Sequence, residues 1–485
     1  MRYSLNCKCT LTGIACLLLG ILVRPALANA PDLPKPPNVL LLVADDLGYA
    51  ELGCQGNAVV KTPQIDAFSR EAVRCTQAYV TAPNCSPSRA GFLTGRIPLR
   101  FGYEFNPIGA RNEDPQTGLP NKQQTIAEYL HDAGYTTGLV GKWHLGGAAD
   151  FHPQRHGFDE FFGFLHEGHY FVPSPWNETT TWIRRKGLPQ GKQGRYEVSP
   201  QLIYSSHMGH DEPDYDANNP VLREGQPVVE EAYFTDAITR EATSFIERYQ
   251  TSPWFLYVAY NAVHSPLQAK NDTLALFKDE DDIHRRIFLA MLYDLDRSVG
   301  QILQTLEKTG QSENTLVVFF SDNGGPTKET TASNLPLRDG KGSMYEGGIR
   351  VPFLIRWPGQ VEGGSVSDSI ISTLDLFPAI TGMIGNKSQV ELDGINIASV
   401  IRNPELASDR TLYWRQGKRA ALRQGRWKIV APNGHNSEDK WQLFDLQDDP
   451  SEQNDLSTSQ DHHKMMKGLL RKWETLNQEM AEPLF

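Results

Sequence analysis

The chain has 485 residues, is 10% aromatic and 22% charged, and carries a formal net charge of −11 with six cysteines. That length can bury a large core with a smaller unit beside it, and the acidic balance argues against nucleic acid as a partner. If the substrate is an anion, positive charge must be concentrated in one site.

Residues 1–28 read as a secretory signal peptide. Arg2 and Lys8 form a basic start, residues 11–23 an apolar run, and "ALANA" supplies small residues with cleavage after Ala28. The run is short for a membrane span, and no other stretch qualifies. The expectation is a secreted or periplasmic protein without stable membrane insertion. Removing the signal takes Cys7, Cys9 and Cys16 with it. Cys54, Cys75 and Cys85 remain, too few for a disulfide framework. Cys54 and Cys75 could pair or could be buried free thiols.

Strand-like and helix-like segments then alternate. "NVLLLVA" (38–44) is a continuous apolar run, as in a strand buried on both faces. "TPQIDAFSREAV" and "QTIAEYLHDAGY" have helical spacing, the latter with Gly134 near its end. "TTGLVG" is the next strand, "FTDAITREATSFIERY" a helix and "WFLYVAY" a buried strand. A long amphipathic helix over 283–310 precedes the strands "TLVVFF" and "VPFLIRW". This rhythm predicts an α/β fold on a large, mostly parallel central sheet flanked by helices. Residues 166–230 show little periodicity and are expected to be an irregular binding rim. After residue 400, "RTLYW", "RAALRQGRWKIV" and "WQLFDL" predict a small antiparallel sheet, closed by a helix over 462–477. The domain reading is therefore a catalytic domain over 31–400 and a C-terminal subdomain over 401–485.

The strand ends carry the chemistry. Ligands of open parallel sheets sit at the strands' carboxyl ends. There the sequence places Asp45 and Asp46, Lys142 and His144, Asn261 and His264, and Asp322 and Asn323. Asp45, Asp46, Asp322 and Asn323 are an all-oxygen set that suits Ca²⁺ or Mg²⁺ better than zinc. A single Asp after a strand is more often a turn or cap residue. Adjacent acids at one strand end and Asp-Asn at another weaken that reading. Arg89, Lys142, His144, His264 and Lys341 add cations and proton carriers, a combination that fits a tetrahedral oxyanion.

"PNCSPSRAGFLTGR" (83–96) leaves Cys85 open: packed thiol, half of a disulfide, nucleophile, or precursor of one. Here "CSPSRAGFLTGR" resembles the signature of the formylglycine-dependent (type I) sulfatases. "NVLLLVADDLGYAELGCQG", "GYTTGLVGKWHLG", "HPQRHGFDEFFGF", "SDNGG" and "GKGSMYEGGIRVP" resemble the same family in its order. The likeness is to its arylsulfatase and N-acetylgalactosamine-6-sulfatase branch.

The resemblance implies an alkaline-phosphatase-like fold and hydrolysis of sulfate esters, with Cys85 oxidised to Cα-formylglycine by a formylglycine-generating or equivalent maturing enzyme. One hydroxyl of the hydrated aldehyde would attack sulfur and expel the alcohol; the other would collapse and release sulfate. It further implies one Ca²⁺ per chain at Asp45, Asp46, Cys85, Asp322 and Asn323. Arg89 and Lys142 would orient the diol, His144 would take the proton of the collapse step, and His264 and Lys341 would face the leaving oxygen. A helix starting near Ser86 would direct free N–H groups at sulfate. His166, His169, Trp176, Arg184, Arg185, His207 and His210 are the candidate rim for a sulfated carbohydrate or aryl sulfate. Two rivals stand: a phosphatase or phosphonate monoester hydrolase of the same superfamily, and a non-catalytic anion-binding relative.

Overall fold

Strand Asn38–Ala44 lies at the centre of a ten-stranded sheet and is buried along its whole length. The computed structural model describes residues 36–485 except 386, 387, 389, 438 and 439; the signal peptide expected over 1–28 lies outside them. Val39, Leu41 and Val43 point into one apolar cluster, while Leu40, Leu42 and Ala44 point into another. Both faces are covered by helices, which is why the strand reads as an unbroken apolar run. Each fully buried Val or Leu is worth roughly 1.5–3 kcal/mol.

Five strands are mutually parallel, in the order Glu160–Phe164, Thr136–Lys142, Trp254–Ala259, Asn38–Ala44, Thr315–Ser321. Phe353–Arg356 then pairs antiparallel with Thr315–Ser321 and hands on to Val73–Cys75 and Val366–Ser367. Helices Phe234–Arg248 and Ile283–Lys308 cover one face; Cys85–Thr94, Ile126–Asp132 and Leu376–Ile384 cover the other. The predicted helix over 62–73 is shorter, Pro63–Ser69, because Val73–Cys75 leaves it to join the sheet.

The register sets the site. Ala44 pairs with Ser321, so Asp45 and Asp322 leave the sheet level with one another. Gly141 pairs with Ala259, just before Lys142. It has φ +112°, and a Cβ there would sit 1.9 Å from the Ala259 carbonyl oxygen. Only glycine brings these two strands together at that point.

Residues 166–230 are irregular only in part, because short strands run through the loops. Thr179–Arg184, Leu202–Ser205 and Arg195–Ser199, with Leu267–Lys270, form a four-stranded sheet. The periodic signal is missing because buried positions are threonines with polar partners. Thr180 donates to Asn271 at 2.8 Å, and Thr181 accepts from Gln268 at 3.1 Å. Arg195–Ser199 is half-exposed.

The C-terminal strands Thr411–Gln416, Arg419–Gln424, Trp427–Ala431 and Gln442–Asp445 form an antiparallel meander, packed on helix His463–Asn477 through Leu469, Leu470 and Trp473. Residues 36–485 are one compact unit. Among the described residues no helix is long and apolar enough to cross a membrane. Cys54, Cys75 and Cys85 are free thiols, so Cys54 and Cys75 do not pair.

Candidate active site

Cys85 is the first residue of helix Cys85–Thr94, all ten residues of which are buried. On this buried helix the side chains of Ser86, Arg89 and Thr94 have partners, while Ser88 Oγ has none among the described residues. Ser86 Oγ donates to the His144 carbonyl at 2.6 Å, and Gly91 lets Thr81 approach where a Cβ would lie 2.1 Å from its Oγ1. The helix begins one residue earlier than expected, and its first turn offers fewer donors. Ser86 N–H meets Asn106 Oδ1 at 3.0 Å, Pro87 has none, and Ser88 N–H meets the Asn84 carbonyl.

The strand ends converge on Cys85. Its Sγ lies 3.7 Å from Asp45 Oδ1. Ligand atoms of Asp45, Asp46, Cys85 and His264 all fall within 4.8 Å of one another. Lys142 Nζ donates to Asp45 Oδ2 at 2.5 Å, and Lys341 Nζ to Asp46 Oδ2 at 2.8 Å. Arg89 donates to Asp322 Oδ2, to Tyr257 Oη at 2.9 Å and to the Lys142 carbonyl. Asn323 Nδ2 donates to Asp46 Oδ1 at 2.7 Å, while its Oδ1 is buried without a hydrogen-bond partner. That orphaned oxygen, beside Asp45, Asp46 and Asp322, is a donor set that fits a hard cation.

Burial pushes Asp46 up to about 7 despite Lys341, and pushes Asp322 up with help from Asp45. Asp45 goes the other way: burial would raise it, but Lys142 and Arg89 hold it below the usual range. Burial raises the Cys85 thiol to about 12 against the pull of Lys142 and Lys341, so an unmodified thiolate is disfavoured.

The histidines are set for proton traffic. His144 Nε2 faces the Pro107 carbonyl at 2.9 Å, so it carries the proton. Nδ1 is then an acceptor, buried and without a partner. Burial and then Lys142 hold His144 well below its usual pKa. His264 Nδ1 donates to the Ser265 carbonyl at 2.5 Å, leaving Nε2 3.6 Å from Asp46 Oδ2. Burial, Lys341 and Lys142 hold His264 well below its usual pKa too. Burial would lower Lys341, but Asp46 and its neighbours keep it well above.

The expected rim scatters. Arg184 is buried, with Nε and Nη2 on Glu212 at 2.8 and 2.5 Å and Nη1 2.7 Å from Glu329. It reaches the site through Glu329, Ser265 and Tyr215, the last two with Nη2 at 3.3 Å from each hydroxyl. His166 is buried beside Gly147, and His169 stacks on Phe234. Between them Gly168 passes close to His264 and Tyr215. Trp176 packs on Tyr170, and Arg185 lies over Tyr204. His207 Nε2 faces the Lys328 carbonyl at 3.1 Å, and His210 is exposed.

Sequence reasoning did not single out Glu329 and Arg419, which line the cleft over Lys341. Glu329 accepts from Ser265 Oγ at 2.6 Å; burial would raise it, but Arg184, Lys341 and His264 hold it at about 2. In "PTKETTASN" it is one acid among polar residues, without a signal of its own.

Comparison with known proteins agrees with this geometry. The Sulfatase family model matches residues 37–386, and the model for the N-sulphoglucosamine sulphohydrolase C-terminal region matches 339–479. The chain is 34% identical over 432 residues to N-acetylgalactosamine-6-sulfatase of Homo sapiens, covering 86% of this chain and 75% of the relative. It is 32% identical over 477 residues to steryl-sulfatase of Rattus norvegicus, covering 88% and 80%. The crystal structure of Ps i-CgsB superposes with TM-score 0.79 at 35% identity, covering 93% of this chain and 94% of that one. Phosphonate monoester hydrolase of Agrobacterium radiobacter is 19% identical with TM-score 0.59, a likeness of fold alone. All the strand ends and the Cys85 helix lie inside the matched span, and the chain belongs to the sulfatase family of sulfuric ester hydrolases.

Proposed function

We propose that this sulfatase acts on a sulfated carbohydrate, with Cys85 matured to formylglycine and one Ca²⁺ held by Asp45, Asp46, Asp322 and Asn323. The observation that carries the reading is the placement of Cys85 Sγ, 3.7 Å from Asp45, among two lysines, an arginine and two histidines. Sγ stands where the hydrated aldehyde's hydroxyls would be. Bound Ca²⁺ would supply charge to neutralise a sulfate oxygen, and the hydrated aldehyde would supply the attacking hydroxyl.

Arg89 and Lys142 hold Asp322 and Asp45 and set the charge behind the nucleophile. His144 Nδ1 is free to accept a proton. Lys341 stabilises the negative charge on the leaving oxygen, and His264, once protonated at Nε2 in the substrate complex, gives that oxygen its proton. A carbohydrate is favoured because Ps i-CgsB, solved also with k-i-k-neocarrahexaose, is similar over nearly its whole length. The basic, apolar and small-residue order of 1–28 supports export to the periplasm or medium. The catalytic part would span 31–400 and the C-terminal subdomain 401–485.

The test is turnover of an aryl sulfate and of sulfated mono- and oligosaccharides by the parent and by Cys85→Ala. The reading requires sulfate release by the parent and none by the variant. Faster release of phosphate from aryl phosphates or phosphonates would favour the rival reaction instead.

A further inference from the structure

A cleft of about 450 Å³ lies over Lys341, with Met208, Lys328, Glu329, Arg419 and Asn433 among its lining residues. Its charged groups are mostly committed. Lys341 is tied to Asp46, Glu329 to Arg184 and Ser265, and Asp339 accepts from Ser343 Oγ at 3.1 Å. Lys328 is exposed on the rim, where solvent screens its charge.

Arg419 differs from these. It is half-buried on the first residue of a C-terminal strand and makes no ion pair among the described residues. Nη1 donates to the Gly342 carbonyl and Nη2 to Gln416 Oε1 at 2.7 Å, both neutral acceptors. A guanidinium has five N–H donors in a planar fork that matches carboxylate and sulfate oxygens. Burial lowers its pKa, and no carboxylate offsets that cost.

Its position relates it to the reaction. Gly342 follows Lys341, and its N–H donates to the Pro83 carbonyl at 2.9 Å. A Cβ on Gly342 would lie 3.6 Å from Arg419 Nη1 and 3.7 Å from Asn84 Oδ1, one residue before Cys85. Lys341 and Arg419 thus line one cleft that is open to the other substituents of a saccharide whose sulfate sits at Cys85. Glu329, also in the lining, is negative, repels anions and suits hydroxyl groups.

We propose that Arg419 binds a second negative group, carboxylate or sulfate, on the saccharide that carries the cleaved ester. This makes the preferred substrate at least dianionic and assigns part of its recognition to the C-terminal sheet. The proposal rests on the carbohydrate reading above, and its test is separate from turnover.

The experiment is calorimetric binding to Cys85→Ala protein with saturating calcium chloride. One probe is N-acetylgalactosamine 6-sulfate. The second is its 4,6-disulfate, and the third is a uronate-linked disaccharide bearing the 6-sulfate, alongside its carboxyl-reduced form. The Cys85→Ala protein should bind a dianionic probe about tenfold more tightly than its monoanionic counterpart, the worth of one charge-assisted hydrogen bond. Adding Arg419→Ala should cut that preference to within about twofold, and Arg419→Lys should keep part of it. The disulfate and uronate arms separate sulfate from carboxylate recognition. The readout is a ratio, so a general loosening of the Lys341 loop affects both probes and cancels. An unchanged ratio, a ratio near one before Arg419 is altered, or a ratio that collapses with Lys328→Ala instead would overturn the proposal. Failure of the parent to hydrolyse an aryl sulfate would count against the catalytic reading and leave this ratio readable.

Discussion

Arg89 holds Asp322 through two donors to one oxygen: Nε and Nη2 lie 3.0 and 2.7 Å from Oδ2, and neither side chain is accessible to solvent. Removing one partner of a buried pair strands the other, which typically costs about 3–5 kcal/mol. Arg89→Ala should therefore lose that much stability in denaturant titration as well as turnover. Arg89→Lys should not rescue it, because an ammonium cannot serve Asp322, Tyr257 and the Lys142 carbonyl in one plane. A variant within 1 kcal/mol of the parent, on the order set by a surface pair, would show that this bond is dispensable.

Arg184 is the residue for which the structure most changes the expectation. As a rim residue, its loss would affect only large substrates. Buried on Glu212 and Glu329, it instead keeps two carboxylates paired beside His264. Arg184→Ala should lower stability by about 3–5 kcal/mol and reduce kcat/KM for an aryl sulfate and an oligosaccharide alike. A loss confined to the oligosaccharide would restore the rim role.

The contrast shows what the sequence could disclose. Buried parallel strands announce themselves because both faces are apolar, and their ends are fixed by register. Asp45, Lys142, His264 and Asp322 were legible for that reason. The helix that carries Cys85 was legible through its motif, since its buried side chains include Ser86, Ser88 and Arg89 and carry no apolar stripe. The Thr179–Arg184 strand was hidden because its buried positions are polar and satisfied by long-range hydrogen bonds. Glu329 and Arg419 were hidden because their placement beside Lys341 depends on loops and a sheet that meet only in three dimensions.

The cation should be detectable without activity. Elemental analysis of protein prepared without chelator should find one calcium per chain. Chelation should lower the Tm, and calcium at about 100 times its Kd should return about 2.7 kcal/mol. Asp322→Asn should weaken this calcium-dependent shift. Two zinc ions per chain would contradict the oxygen-ligand reading and favour a phosphatase-like centre.

Lys428 is buried between Glu346 and Glu452, at 2.8 Å from each. Burial raises Glu452 from the ordinary 4.5 to about 7, with Lys428 opposing and Glu346 adding to the rise. Because the folded state holds this proton more tightly than the unfolded one, the associated stability is complete below about pH 4.5 and is lost as pH rises through about 7. Glu452→Gln should flatten that part of the Tm–pH profile, a change on the order of 3 kcal/mol. An identical profile in parent and variant would place the proton elsewhere.

The central claim concerns Cys85 itself, and peptide mass spectrometry of active protein tests it most directly. The account predicts that in protein turning over an aryl sulfate, the peptide spanning Cys85 carries an aldehyde in place of the thiol. The aldehyde fraction should rise and fall with specific activity across preparations. Full specific activity in protein whose Cys85 is entirely an unmodified thiol would contradict it.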